Sequence, residues 1–301
     1  MQSSAHTTTA PDAAIPARVD LQQVRWLLRD KFGWTEKEIV EALRVRAVPA
    51  AVAEDLERLS TGEPLAYIIG WVRFLDCVID LSLRPLVPRP ETEYWVGEVL
   101  RRWSRSATDP KVGQPIRVLD MCCGSGCIGL SVLRHLDGCV VDFADLDPRA
   151  LEQSKRNLVK NEVALARARL ILSDVWAGLD GTSGGYDAIF ANPPYIDGTT
   201  SGRAATFAAA PELAFEPAHA LFADAQGLAV IREILVGLSK WVKPGGALYL
   251  EFGLGQRPVI EQLLTRLSLH GEFAKDQFGV WRWVQVTKTS SDQVLRVLQA
   301  Q

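Results

Sequence analysis

The spacing of apolar residues along this chain changes character near residue 70. Before it, apolar positions recur at helical intervals. Leu21, Val24, Leu27 and Leu28 share one face of a helix that Asp20 can cap and Gly33 can stop. Thr35 and Glu38 form a capping-box pattern for a second helix, with Ile39, Ala42 and Leu43 inward. A third helix is expected from about Pro49 to Ser60. "FLDCVIDLSL" (74–83) is rich in β-formers and broken by Asp76 and Asp80, which predicts a short hairpin. "RPLVPRPETEYWV" follows, stiffened by three prolines. From about residue 116 strand and helix patterns alternate. "IRVLD", "VVDFADLD", "ARLILSD" and "YDAIFAN" read as strands, and "GALYLEFG" continues the series after a helix from roughly Gln226 to Trp241. "GEFAKDQFGVWRWVQV" holds two more strands in an antiparallel hairpin. The alternation predicts an α/β fold with a mostly parallel sheet, an antiparallel last strand and helices on both faces. No internal repeat is visible.

Composition narrows the setting. The chain has 301 residues, 48% hydrophobic and 23% charged, as in ordinary globular proteins. A net charge of -3 provides no global field toward nucleic acid. Apolar runs are strand-sized, so no membrane span is expected. The first 17 residues contain neither Lys nor Arg and no apolar core, against a transit or signal peptide. Their Ser, Thr, Ala and Pro content predicts a disordered tail. Of the five cysteines, Cys122, Cys123 and Cys127 are clustered, but no second knuckle accompanies them. Small buried thiols in a reducing cytoplasm are expected, with no metal.

Candidate chemistry gathers at the predicted strand ends. "VLDMCCGSGCIGL" (118–130) is strand, small-residue loop, helix. Gly124 and Gly126 allow close approach of a ligand to backbone, and a helix amino end follows. The dinucleotide fingerprint would need glycine where Cys122 stands. Asp120 before the loop would repel a pyrophosphate and favour the ammonium or sulfonium of S-adenosylmethionine. The next strand ends at Asp145, 19 residues beyond Gly126, where an acid can take ribose hydroxyls. Asp147 and Pro148 read as helix cap and first turn. Asp174 is placed to accept from an adenine amine and Val175 to cover its ring. In "FANPPYIDG" (190–198) the prolines must end a strand, leaving Asn192 at its carboxyl end, where open α/β sheets bind ligands. A rigid turn without chemistry explains that stretch alone about as well. Asp120, Asp145, Asp174 and Asn192 in sheet order together point to a class I S-adenosylmethionine-dependent methyltransferase.

With these residues placed, the chain resembles the HemK/PrmC family of protein-(glutamine) methyltransferases over about residues 20 to 287. "GEPLAYIIG", "LVPRPETE", "LDMCCGSGCIGL", "ADLDPRAL", "ANPPYI", "FEPAHAL" and "LEFG" match its pattern in order. "NPPY" is shared with enzymes acting on adenine or on a ribosomal-protein glutamine, whereas "PRPETE" and the helical amino-terminal region point to the release-factor branch. The resemblance implies methylation of the glutamine in the Gly-Gly-Gln motif of peptide chain release factors, modulating translation termination. It implies a cofactor site of Asp120, Cys122, Cys123, Gly124, Ser125, Gly126, Asp145, Asp174, Val175 and Asn192. Cys122 and Cys123 depart from the glycine- and threonine-rich loop of the family, and Val175 stands where many members carry Trp.

An amide nitrogen is a poor nucleophile because its lone pair is delocalised. The Asn192 side-chain carbonyl and the Pro193 backbone carbonyl can accept its two N–H bonds and favour the positive charge it gains. Pro193 and Pro194 hold both acceptors rigid, and the Tyr195 ring can pack on the flat amide. The same clamp would serve another planar amine, a ribosomal-protein glutamine or adenine in nucleic acid; a scaffold that only binds is the remaining alternative. The expected organisation is a tail over 1–17, a helical release-factor-recognition domain over 18–70, a β-hairpin linker over 71–88, the methyltransferase domain over 89–288 and a tail over 289–301. The expected partner is a release factor, met by a cytoplasmic monomer, with no direct contact to nucleic acid or membrane.

Overall fold

In the computed structural model, which describes residues 13–106, 115–180 and 185–288, a short strand β1 (Ala13–Ala14) leads into two helices packed on each other. Helix α1 (Leu21–Phe32) is capped by the Asp20 carboxylate at the Gln22 N–H and ends at Gly33, which takes a left-handed φ of 70°. Helix α2 (Glu36–Val45) starts at a complete Thr35/Glu38 capping box. Strand β2 (Ala47–Val48) pairs with β1. Within the tail expected over 1–17, residues 13–17 are ordered, because Ile15 is buried and its N–H donates to the Arg46 carbonyl. Residues 1–12 and 289–301 lie outside the described residues. The third expected helix is a 3-10 turn (Ala50–Val52) followed by α3 (Ala53–Ser60), and a short α4 (Leu65–Ile69) closes the bundle. Val24, Leu27, Leu28, Ile39, Leu56 and Ile68 form its separate core.

The hairpin consists of β3 (Trp71–Phe74) and β4 (Cys77–Asp80), joined through Leu75 and Asp76. It starts earlier and ends sooner than the pattern of 74–83 suggested, since Leu75 must adopt a left-handed φ of 49° at the turn. The last of the three stiffening prolines, Pro90, begins α5 (Pro90–Ser106), where a missing N–H costs nothing.

Strand β5 (Ile116–Met121), α6 (Cys127–His135), β6 (Cys139–Asp145), α7 (Pro148–Lys160) and β7 (Ala168–Leu172) form successive crossover units. The chain then returns to the other side of β5 as β8 (Tyr186–Ala191). A small parallel pair, β9 (Ile196–Asp197) and β10 (Phe222–Ala223), brackets α8 (Thr200–Ala209) and α9 (Ala218–Leu221). A kinked turn α10 (Asp224–Gly227) precedes α11 (Ala229–Trp241), which starts later than Gln226 because Ala225 and Gln226 have left-handed backbones. Then come β11 (Val242–Glu251), α12 (Arg257–Arg266), β12 (Leu269–Lys275) and β13 (Trp281–Lys288).

The seven-stranded sheet has the order β12-β13-β11-β8-β5-β6-β7. Only β13 runs against the rest, inserted between β11 and β12. Residues alternate between two cores, so β8 sends Phe190 to one and Ile189 to the other. The first core also takes in the hairpin and α5, with Trp95 stacked between Phe190 and Trp283. Helix α7 completes the free edge of β4: Asn157 and Asn161 each both accept from and donate to a β4 backbone group, and Gln153 accepts from the Leu83 N–H. Positions 153, 157 and 161 fall four apart, on one helix face. An otherwise open strand edge is thus closed by side-chain amides.

Candidate functional site

The sheet reverses its winding between β5 and β8, and a cavity of about 870 Å³ opens at the carboxyl ends of the strands there. Its first wall is the loop after β5. Cys122, Gly124 and Gly126 all have left-handed backbones. Gly124 faces open space, while a Cβ on Gly126 would lie 2.6 Å from the Ser154 hydroxyl, so glycine there lets the loop press against α7. The Asp145 carboxylate accepts from the Gly124 N–H and the Asp147 N–H, both at 2.9 Å, tying β6 to the loop. Burial raises the Asp145 pKa above the usual carboxylate range. Burial, and next the Asp145 charge, push the Cys122 and Cys123 thiols far up. Both are neutral, so the departure from threonine and glycine adds no charge to the loop. Asp147 caps α7 at the Arg149 N–H, as its position suggested, and meets His219 at 3.3 Å.

Farther along, Asp174 is exposed at the cavity and Val175 is buried beside it. Val175 has a φ of 44°, an uncommon conformation for a β-branched residue. Ser173 holds it there, donating its hydroxyl to the Val175 carbonyl and accepting from the Gly178 N–H.

The opposite wall joins segments far apart in sequence. Arg89 pairs with Glu216 at 2.7 Å, and the other Glu216 oxygen accepts from the Val87 N–H, so "LVPRPETE" and "FEPAHAL" close one side of the cavity. Asn192 lines the cavity and donates its amide to the Thr92 hydroxyl at 3.1 Å. Thr92 in turn donates to Glu251 at 2.7 Å, which also accepts from the Trp95 indole and the Tyr195 phenol.

Of the expected site residues, Cys122, Cys123, Gly124, Ser125, Asp145, Asp174, Val175, Asn192 and Pro194 all line this one cavity. Asp120, Gly126, Pro193 and Tyr195 do not. Asp120 is buried behind the loop, with one oxygen on the Gly129 N–H and the other, Oδ1, without a partner among the described residues. The Tyr195 phenol donates to Glu251, and Tyr195 is not among the residues lining the cavity. Thr92, Glu216, Glu251 and Asn157 were not singled out. The first three sit inside stretches that match the family pattern; Asn157 carries no local signal, since its carboxamide acts on Asp80 and Ser125, remote in sequence. Among the described residues no group of three or more His, Cys, Asp or Glu could hold a metal, and no helix is long and apolar enough to cross a membrane.

Comparison with known proteins adds the following. The family described as "Methyltransferase small domain" matches residues 110–250. A release factor glutamine methyltransferase from Burkholderia pseudomallei is 33% identical over 270 residues, covering 85% of this chain and 90% of that protein. One from Lactococcus lactis is 29% identical, with 89% of each chain covered. A ribosomal protein uL3 glutamine methyltransferase from Bradyrhizobium diazoefficiens is 31% identical, covering 93% of this chain and 84% of its own. Among solved structures, the hMettl16 catalytic domain in complex with MAT2A 3′UTR hairpin 1 has a TM-score of 0.54 at 15% identity, covering 93% and 97% of the two chains. That likeness speaks for the methyltransferase fold alone.

Proposed function

As the chain belongs to the HemK/PrmC family of release factor glutamine methyltransferases, we propose that it transfers a methyl group from S-adenosylmethionine to the side-chain amide nitrogen of the glutamine in the Gly-Gly-Gln motif of peptide chain release factors. The observation that carries this reading is that the Asn192 amide and the glycine loop line one cavity at the reversal of the sheet.

The residues present suit the cofactor. Asp120 Oδ1, without a partner among the described residues, leaves an unsatisfied acceptor behind the loop, on a carboxyl whose pKa burial raises well above the ordinary value. Asp145 would hold the ribose hydroxyls, Asp174 the adenine amine and Val175 the ring, with the backbone at Gly124 open for close approach. When bound, S-adenosylmethionine supplies an electrophilic methyl group on a sulfonium. Asn192 Oδ1, which lines the cavity, accepts one N–H bond of the substrate amide and orients its nitrogen; the proposed second acceptor is the backbone carbonyl of Pro193, a buried residue outside the cavity lining. Both acceptors favour positive charge on that nitrogen, so they act more strongly as methylation proceeds. The two prolines keep them from relaxing. A proton on the methylated nitrogen is acidic, so the surplus one is held at an acceptor oxygen and passes to water without a strong base. Tyr195 acts from behind, through Glu251, as part of the wall.

The helical region over 18–70 is the proposed release-factor contact. Its α3 is joined to the cavity wall by Glu63, which binds Arg58 and Arg84. A translation substrate and five free thiols fit a cytoplasmic setting. The relative named for ribosomal protein uL3 sustains a second reading, with that glutamine as substrate. Purified protein, labelled S-adenosylmethionine and either release factor or uL3 decide between them. Mass spectrometry should find the label on the Gly-Gly-Gln glutamine; label on uL3 alone, or on nucleic acid, would overturn the proposal.

A further inference from the structure

We propose that Thr92 and Glu251 are positioning residues for the reaction, setting which way the Asn192 amide points; this rests on the function proposed above. Glu251 is the last residue of β11, beside β8, whose Ala191 precedes Asn192 by one position. Its side chain is fully buried. One oxygen, Oε2, accepts from the Thr92 hydroxyl and the Trp95 indole, both at 2.7 Å. The other, Oε1, accepts from the Tyr195 phenol at 3.2 Å. A carboxylate has acceptors only, so the single hydrogen of the Thr92 hydroxyl is committed to it. Thr92 can then only accept from Asn192, and it does, from Nδ2 at 3.1 Å.

This fixes a choice that the asparagine alone does not make. A carboxamide is nearly symmetric in shape but opposite in polarity at its two ends. Were Asn192 turned over, its carbonyl would face a Thr92 oxygen with no hydrogen left to give. The observed orientation puts Nδ2 on the buried wall and keeps Oδ1 as the end available to a substrate N–H. The turned-over amide would present a donor to that N–H, which repels it. Glu251 also holds the far end of the same four residues through Tyr195, so one buried carboxylate staples both Asn192 and Tyr195. The arrangement costs a buried charge, which no packing need explains: an apolar residue would fill the site without it. Arg282 nearby offsets part of that cost, and burial still raises the Glu251 pKa.

The test compares Thr92→Val, which keeps the shape and removes the hydroxyl, with Thr92→Ser, which keeps the hydroxyl. On release factor, Thr92→Val should lower kcat about tenfold to hundredfold with KM little changed, and Thr92→Ser should restore most of it. Glu251→Met should behave like Thr92→Val, and Glu251→Gln, whose oxygen can still face Thr92, should be milder. If Glu251→Met does not fold, the Thr92 pair carries the test. In the Asn192→Ala background Thr92→Val should cost almost nothing further, because Thr92 acts through Asn192. A second readout needs no turnover. In protein labelled with 15N-asparagine, the Asn192 side-chain amide, assigned by its loss in Asn192→Ala, should exchange slowly in wild type and Thr92→Ser and fast in Thr92→Val. An equal loss with and without Asn192, or unchanged exchange in Thr92→Val, would overturn the proposal. A wild-type protein inactive on release factor would count against the substrate proposed above, and amide exchange would then decide this inference by itself.

Discussion

The two walls of the cavity are built differently. On the β5–β7 side, carboxylates are held by backbone. Asp145 takes the Gly124 and Asp147 N–H groups, and Asp120 takes the Gly129 N–H. On the β8–β11 side, polar groups are held by side chains drawn from afar: Asn192 by Thr92, 100 residues away, and Thr92 by Glu251, 159 residues away. A backbone donor is present whatever residue supplies it. The first wall therefore accepts Cys122 and Cys123 in its loop with no loss of hydrogen bonds. The second depends on the identity of each member, so single substitutions there should act on chemistry more than on binding.

Asn192→Ala should give the largest effect. It removes one acceptor of the proposed clamp, and loss of such a preorganised contact costs about 10²–10³ in rate. Cofactor affinity should change much less, since the residues proposed to hold it lie mainly on the other wall. Turnover measured beside calorimetric titration checks this. Near-normal turnover of a folded Asn192→Ala protein would erase the distinction between the walls.

The difference also explains what could be read from sequence. Strands, their order of use and the residues at their carboxyl ends follow from local pattern: the apolar run before Asn192, Asp145 at a fixed distance after the glycine loop, the Asp147–Pro148 cap. The bundle helices were legible for the same reason, since Asp20, Gly33 and the Thr35/Glu38 box act within a few residues. What was missed depends on tertiary approach. Nothing near Glu251 says that it will meet Thr92 and Trp95 from α5. Nothing near Tyr195 says that its phenol will meet Glu251. Ile15 reads as part of a polar tail until the Ala47–Val48 strand is seen to lie beside it.

Asn157 tests whether the backbone-held wall stands by itself. It is fully buried on α7, accepting from the Asp80 N–H and donating to the carbonyls of Asp80 and of Ser125 in the glycine loop. Asn157→Ala leaves those groups without partners and should cost about 2–4 kcal/mol of stability. Denaturant unfolding measures it. A loss under about 0.5 kcal/mol, in the range of ordinary surface changes, would mean that the hairpin and loop do not lean on this residue.

Asp145→Ala addresses the same wall by binding. Removing the proposed ribose contact should weaken S-adenosylmethionine by about 1.5–3 kcal/mol, roughly ten- to hundredfold. Turnover at saturating cofactor should fall less. Unchanged affinity in a folded Asp145→Ala protein would remove this residue from the cofactor site and leave it a loop anchor only.

The smallest expected effect concerns a carboxylate held wholly by side chains, whose pKa moves opposite to that of Asp145. Glu63 meets Arg58 through both oxygens, at 2.8 and 2.9 Å, and Arg84 of the cavity wall at 2.7 Å. Arg58 first, and then Arg84, hold its pKa down to about 2 against the opposing effect of burial. A carboxyl with a lowered folded pKa stabilises the fold fully above its unfolded value, about 4.3, and loses that contribution as pH falls through the folded value. The window is thus about pH 4.3 down to about 2. Both arginine partners are a third or more exposed, at 33% and 40%, so solvent screening limits the contribution to about 1 kcal/mol or less. The stability difference between wild type and Glu63→Gln, taken from denaturation at a series of pH values, should be constant above about pH 5 and shrink steadily below it. Asp145, whose pKa burial raises, protonates at higher pH than an ordinary aspartate, whereas Glu63 in the fold keeps its charge down to about pH 2. A difference that stays constant to pH 2 would show that Arg58 and Arg84 do not hold Glu63 in solution, and that the bundle is joined to the cavity by other contacts, such as the Tyr67 phenol on the Pro85 carbonyl.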